Sequence, residues 1–233
     1  MRFAWIAVGA GLLAAAACSP AIARPAAAGH DRPHAVTVAR EGRERMELDV
    51  VSGATTVAIS SANLGDELMR ASTPDDSGVA PDVVVGDKAQ LFLDGTGLPG
   101  PAALRIVLNS RVTWRLVFTG GASLMSVDLG AGRFGGADFA AGSALISMRL
   151  PEPDGTVTVV LAGGASQVNL SIPAGVAARL RLDGGASSAT IGNRSYTGIA
   201  GGTMLTMPGW ASALRRYDID APAGVSAISV TSR

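Results

Sequence analysis

A small-residue motif returns four times along this chain at almost constant spacing. Its copies are Gly120-Gly121-Ala122-Ser123, Ala141-Gly142-Ser143-Ala144, Gly163-Gly164-Ala165-Ser166 and Gly184-Gly185-Ala186-Ser187. Their second residues are 21, 22 and 21 positions apart. A period of that length suits one coil of a solenoid per repeat.

Sorting the flanking residues by face strengthens the case. Four positions after each second small residue stand Met125, Ile146, Val168 and Ala189, and two further on Val127, Met148, Leu170 and Ile191. Eight positions after it stand Leu129, Leu150 and Ile172, with Asn193 ending the series. On the upstream arm, Phe118, Phe139, Leu161 and Leu182 lie three before it, and Leu116, Ala137, Val159 and Leu180 five before it. Polar residues such as Ser126, Ser147, Asn169, Arg179 and Arg181 alternate with them. Period-two alternation on both arms is the mark of strands with one buried face.

The expected fold is all-β, a single-domain parallel β-helix with coils of about 21 residues. Inward residues of one coil would stack on the same positions of the next, about 4.8 Å away. Glycine at the corner would permit the bend and close approach of neighbouring coils. Pro151 and Pro173 end equivalent strands. Weaker echoes at Ser52-Gly53-Ala54-Thr55 and Ala223-Gly224-Val225-Ser226 extend the array to both ends. The 68 residues from Gly53 to Gly121 approximate three units. Irregular N-terminal coils are expected there, with loops at Thr73–Pro81 and Asp94–Pro101 and one helical turn at Leu64–Arg70. Two alternatives compete: a motif produced by Ala/Gly composition alone, and an antiparallel sandwich turning at Asp94-Gly95 and Asp154-Gly155.

Composition narrows the functional classes. Apolar residues make up 48% of the 233 residues and aromatics only 4%, so the core is built from small and aliphatic side chains. Charge is balanced and Lys88 is the one lysine, which speaks against nucleic-acid binding. Residues 1–23 read as an export signal: Arg2, then an apolar stretch from Phe3 to Ala17, then small residues. Cys18, the sole cysteine, follows Ala15-Ala16-Ala17 as in a lipoprotein cleavage box, which makes it a candidate lipid-attachment residue. Cleavage after Ala21-Ile22-Ala23, or an uncleaved leader, are the competing readings. Residues 24–35 read as a linker and 36–233 as the β-helical domain.

The run from Gly163 to Ser188 resembles the β-helical "toastrack" adhesin-like domain found at the C-terminus of LiaF-type envelope-stress proteins and in many actinobacterial exported proteins. Gly201-Gly202-Thr203, Gly209-Trp210 and Arg216-Tyr217-Asp218-Ile219 are similar to the end of that domain, so the likeness spans roughly residues 45–231. It implies a sensing, scaffolding or protein-contact role in the cell envelope and brings no catalytic residues. The chain departs from the LiaF pattern in lacking several transmembrane helices ahead of the domain.

No catalytic constellation emerges from the residues. The two histidines, His30 and His34, fall in the linker, where Pro33 opposes the helix that a His-x-x-x-His metal site would need. The domain therefore lacks the base of a Ser-His-Asp arrangement, and a Ser-Lys pair would have to use Lys88. Asp128, Asp138, Glu152, Asp154 and Asp183 are the acids a polysaccharide-cleaving β-helix would employ, but their offsets in the repeat form no single row. Neither a metal nor a cofactor is expected. Trp114 reads as core. Trp210, in a Pro-Gly-Trp turn, is a candidate contact residue or a lid over the end of the core.

The reading is an exported, non-enzymatic scaffold or interaction module. Its place would be the outer face of the cytoplasmic membrane, the cell wall or the medium. The partner would be an envelope protein or glycan, with membrane contact only through a leader or lipid, and self-assembly is a further option. A carbohydrate-active or carbohydrate-binding β-helix is the alternative. The face assignment is directly testable. Leu170→Asp should unfold the domain, losing roughly 1.5–3 kcal/mol of burial and adding a buried charge. Asn169→Asp should leave the thermal midpoint almost unchanged, and equal effects would refute the assignment.

Overall fold

The computed structural model describes residues 32–233. The leader, Cys18, His30 and most of the linker lie outside the described residues. The alternating runs become strands: β1 (Ala35–Ala39), β2 (Arg45–Val50), β3 (Ala54–Ala62), β4 (Glu67–Ser72), β5 (Val79–Val85), β6 (Ala89–Gly95) and β7 (Ala103–Asn109). The repeat region supplies β8 (Thr113–Phe118), β9 (Ala122–Asp128), β10 (Arg133–Phe139), β11 (Ser143–Arg149), β12 (Thr156–Val160) and β13 (Ala165–Ile172). Then come β14 (Ala177–Leu182), β15 (Ala186–Ile191), β16 (Arg194–Ile199), β17 (Thr203–Thr206), β18 (Arg216–Ala221) and β19 (Val225–Ser232).

The fold is all-β, with no helix among the described residues. Two mixed sheets form, neither closed into a barrel. A ten-stranded sheet A runs β1-β4-β7-β3-β9-β11-β13-β19-β15-β16, and a nine-stranded sheet B runs β17-β14-β18-β12-β10-β8-β2-β6-β5. Each corner motif joins a sheet B strand to the next sheet A strand, giving solenoid-like units such as β8–β9, β10–β11 and β12–β13. Neighbouring units pair in parallel, with Met125, Ile146 and Val168 in one row and Val127, Met148 and Leu170 in the next. All the repeat-register apolar positions named above are buried except Asn193, which is exposed at the turn after β15. Phe118 and Phe139 stack at 4.6 Å between centroids, the one aromatic pair in that column. Trp114 is fully buried and donates its Nε1 hydrogen to Asn109 O at 3.0 Å.

The order of the units departs from the chain order at both ends. The unit β14–β15 does not lie on β12–β13. The last unit, β18–β19, is inserted between them, so β13 pairs with β19 and β19 with β15. Likewise β3 pairs directly with β9, which makes the Gly53 and Gly121 corners neighbours. The chain between them is an excursion, in which β6–β7 packs on the far side of β2–β3. Among the irregular coils expected between Gly53 and Gly121, β5 and β6 form an antiparallel hairpin, turning at Gly86-Asp87. The expected helical turn at Leu64–Arg70 is a tight turn at Gly65 leading into β4, because Leu68 and Met69 are drawn into the core of a strand. Irregularity is not confined to the N-terminal end: β16 and β17 close the other end as antiparallel edges. Order also begins before Val36, since β1 starts at Ala35 and Arg32 pairs with Asp94.

The corner shows why small residues recur. In spatial order its second slot holds Gly53, Gly121, Gly142, Gly164, Gly224 and Gly185. A Cβ on Gly121 would lie 2.9 Å from Gly142 O, and one on Gly164 3.2 Å from Gly224 O. The first slot is more exacting. It runs Ser52, Gly120, Ala141, Gly163, Ala223, Gly184, a glycine at every second step. A Cβ on Gly120, Gly163 or Gly184 would fall 2.2–2.3 Å from the backbone of the unit below. Only Gly164 and Gly185 among these corners need a positive φ, at 72° and 74°. Close approach is therefore the general cause and backbone freedom the local one. Gly163→Ala should lower unfolding stability in urea by about 1–3 kcal/mol, at the upper end of that range, through forced displacement of the Ala141 backbone, whereas Ala141→Gly should cost only ~0.5–1 kcal/mol.

Candidate interaction surfaces

Sheet A presents one row of mainly short polar side chains and one mixed polar and apolar row on its outward face. One row runs Ala58, Ser126, Ser147, Asn169, Ser229 and Thr190 across β3, β9, β11, β13, β19 and β15. The row beside it runs Thr56, Leu124, Leu145, Gln167, Ala227 and Ser188. Parallel pairing repeats each row at the strand spacing, about 4.8 Å. Ser229 Oγ donates to Asn169 Oδ1 at 3.0 Å, and Arg149 pairs with Asp128 at 3.6 Å. Both rows are uncharged, with Leu124 half exposed in one of them.

A groove of about 460 Å³ opens at the β7 end of this face. Thr56 and Ala58 of β3, Ala103, Leu104 and Arg105 of β7, and Ser72, Thr73 and Pro74 line it. His34, expected in a solvated linker, is held here: its Nδ1 lies 2.9 Å from Thr73 Oγ1. Thr73 Oγ1 donates to Val79 O at 2.9 Å, so it accepts from the imidazole, which fixes the proton on Nδ1.

Sheet B is charged. Arg179 forms a two-pronged pair with Asp218, Nε to Oδ1 at 2.9 Å and Nη2 to Oδ2 at 2.5 Å. Arg181 reaches Asp220 at 3.2 Å. Burial pushes the Asp49 carboxyl up, but Thr119 Oγ1 at 2.7 Å and Lys88 Nζ at 2.9 Å outweigh it and hold Asp49 below its ordinary range. Lys88 is thus committed to a carboxylate rather than to a serine. Beneath the sheet, Tyr217 donates its hydroxyl to Pro151 O at 2.7 Å, and burial raises its pKa.

Trp210 is half-buried, with two guanidiniums against its ring. The Arg179 and Arg216 carbons lie 4.0 and 4.3 Å from its ring centroid. Its Nε1 donates to Tyr217 O at 3.2 Å, and Arg216 Nη1 donates back to Trp210 O at 3.0 Å. The ring thereby straps the β17–β18 connection across outward residues of β14 and β18, instead of lying over the end of the core. The acids that an enzyme would use do not converge. Asp128 is on sheet A and Asp138 on sheet B, Glu152 pairs with Arg215 at 2.6 Å, and Asp154 and Asp183 are exposed in turns. Among the described residues no group of three His, Cys, Asp or Glu side chains could hold a metal ion.

Sequence reasoning missed the Arg179–Asp218 pair and the groove. The first had a signal, because Arg179-Leu180-Arg181 and Tyr217-Asp218-Ile219-Asp220 are complementary period-two patterns. The groove had none, since the excursion that brings Ser72 beside Arg105 is not readable from the repeat. Trp210→Ala should lower stability by roughly 1–3 kcal/mol as two stacked cations lose their aromatic partner, read as a lower urea midpoint; an unchanged midpoint would leave the ring without a structural role.

No protein-family model matches the chain, and no curated protein matches it. A solved structure does: the crystal structure of a putative cell adhesion protein from Clostridium sporogenes ATCC 15579. The likeness covers 85% of this chain and 98% of that one, with a TM-score of 0.64 and 15% sequence identity. At that identity the comparison shows a shared all-β fold and nothing narrower.

Proposed function

We propose that this chain is an exported, non-enzymatic contact module of the bacterial cell envelope, built as a parallel β-helix. The observation that carries the reading is the outward face of sheet A, where six parallel strands align a row of mainly short polar side chains beside a mixed row that includes Leu124 and Leu145. Such a face offers many weak hydrogen-bonding groups across several strands, which suits contact with an extended partner better than the enclosure of a reacting centre. The resemblance to toastrack adhesin-like domains and the fold shared with a putative cell adhesion protein support the same direction. The apolar stretch ahead of Cys18 supports export, by lipid anchoring or by plain cleavage. A glycan-binding reading of the same face is favoured by the groove beside Arg105.

Co-sedimentation of the full chain with isolated bacterial envelopes tests the proposal. The chain should bind saturably. Ser147→Arg combined with Asn169→Arg should weaken binding at least about tenfold by obstructing the centre of the face. Glu152→Ala, in the β11–β12 connection and outside both rows, should not. Absence of saturable binding, or turnover of a cell-wall glycan by the purified chain, would overturn it.

A further inference from the structure

We propose that the groove at the β7 end of sheet A is a subsite for the carboxylate of a uronic acid within an acidic polysaccharide. The proposal rests on the reading of the sheet A face as the contact surface and names the chemistry it takes. Arg105 is exposed in the groove and has no ion-pair partner among the described residues. Its neighbours across the strands are Ser72 on β4 and Ala58 on β3, so a hydroxyl flanks the guanidinium on one side and a methyl on the other.

A guanidinium fork matches a carboxylate in two parallel hydrogen bonds. Thr56 and Ser72 add hydroxyls that can donate to or accept from a sugar. Pro74, Ala58 and Ala103 supply apolar surface for the face of a ring. The wall is fixed rather than loose, because Thr73 is buried and tied to both Val79 O and His34 Nδ1. Asp75 and Asp76, on the same loop, are exposed and lie outside the lining.

Two features select a glycan over other anions. A single cation among neutral hydroxyls suits one negative charge better than a doubly charged phosphate. Beyond Arg105 the row continues through Ala58, Ser126, Ser147, Asn169, Ser229 and Thr190, which offers hydroxyl and amide partners to a polyhydroxylated chain laid across the strands.

Calorimetric titration of the full chain with oligogalacturonate, and with its methyl ester, tests this. The acid should bind, and Arg105→Gln should weaken it at least about tenfold through loss of the charge-assisted fork. The methyl ester should bind the wild type no better than the acid binds the variant. Arg194→Gln, at the far edge of sheet A, should bind like the wild type, and matched thermal midpoints should show that both variants fold. The proposal is overturned if oligogalacturonate does not bind, if Arg105→Gln or esterification changes nothing, or if an acidic peptide binds equally well. Envelope binding that is insensitive to Arg105 would remove the subsite alone. Arg105-dependent oligogalacturonate binding without envelope binding would remove the broader reading alone.

Discussion

The backbone-on-backbone contact at the Gly-Gly corner is the constraint on which the structure depends. Units stack at the distance set by strand hydrogen bonds, and that distance leaves no room for a Cβ at Gly120, Gly163 or Gly184. Each corner also completes a ladder: Gly163 N donates to Phe139 O at 2.8 Å, and Ala54 N to Gly121 O at 3.0 Å. With the corners in contact, the apolar rows on both arms fall into register without large side chains between them. The core then needs few aromatics, and Trp114 and Tyr217 fill places where a backbone carbonyl can receive their polar atoms.

Much of this was legible in the sequence. The period, the inward positions and the polar rows follow from residues such as Met125, Ile146 and Val168, because burial on one face forces alternation. The order of the units was not legible, for a physical reason. The unit carrying Ile219, Ala221, Ile228 and Val230 presents the same apolar columns as the unit carrying Leu180, Leu182, Ala189 and Ile191. Exchanging them leaves every row hydrophobic, so the repeat alone cannot say which lies against Val168. Two finer signals do distinguish them. Ala223 between Gly163 and Gly184 preserves a glycine at every second corner, and Arg179 and Arg181 find Asp218 and Asp220 only if their strands are adjacent.

The functional surface was harder to foresee than the fold. Its polar rows were visible as the residues between the apolar ones, but the groove depends on an excursion from β4 to β7 that breaks the period. Ser72 and Arg105 are 33 positions apart and meet only because β4 turns antiparallel to β7. Trp210 was recognisable as unusual. What it touches follows from the insertion of β18, which brings Arg216 to the ring along with Arg179 of β14.

The inserted position of β18–β19 has a consequence for assembly. A ribbon of this kind cannot zip shut beyond β13 by adding one turn after another, because the berth next to β13 must be kept vacant until a stretch made after its outer neighbour arrives. Until then β13 and β15 each present a bare row of amides and carbonyls of matching register, open to whichever strand reaches them first. The strap held by Trp210 and its two arginines tethers the proper occupant close by, so the chain's own tail competes at high local concentration against any intruder.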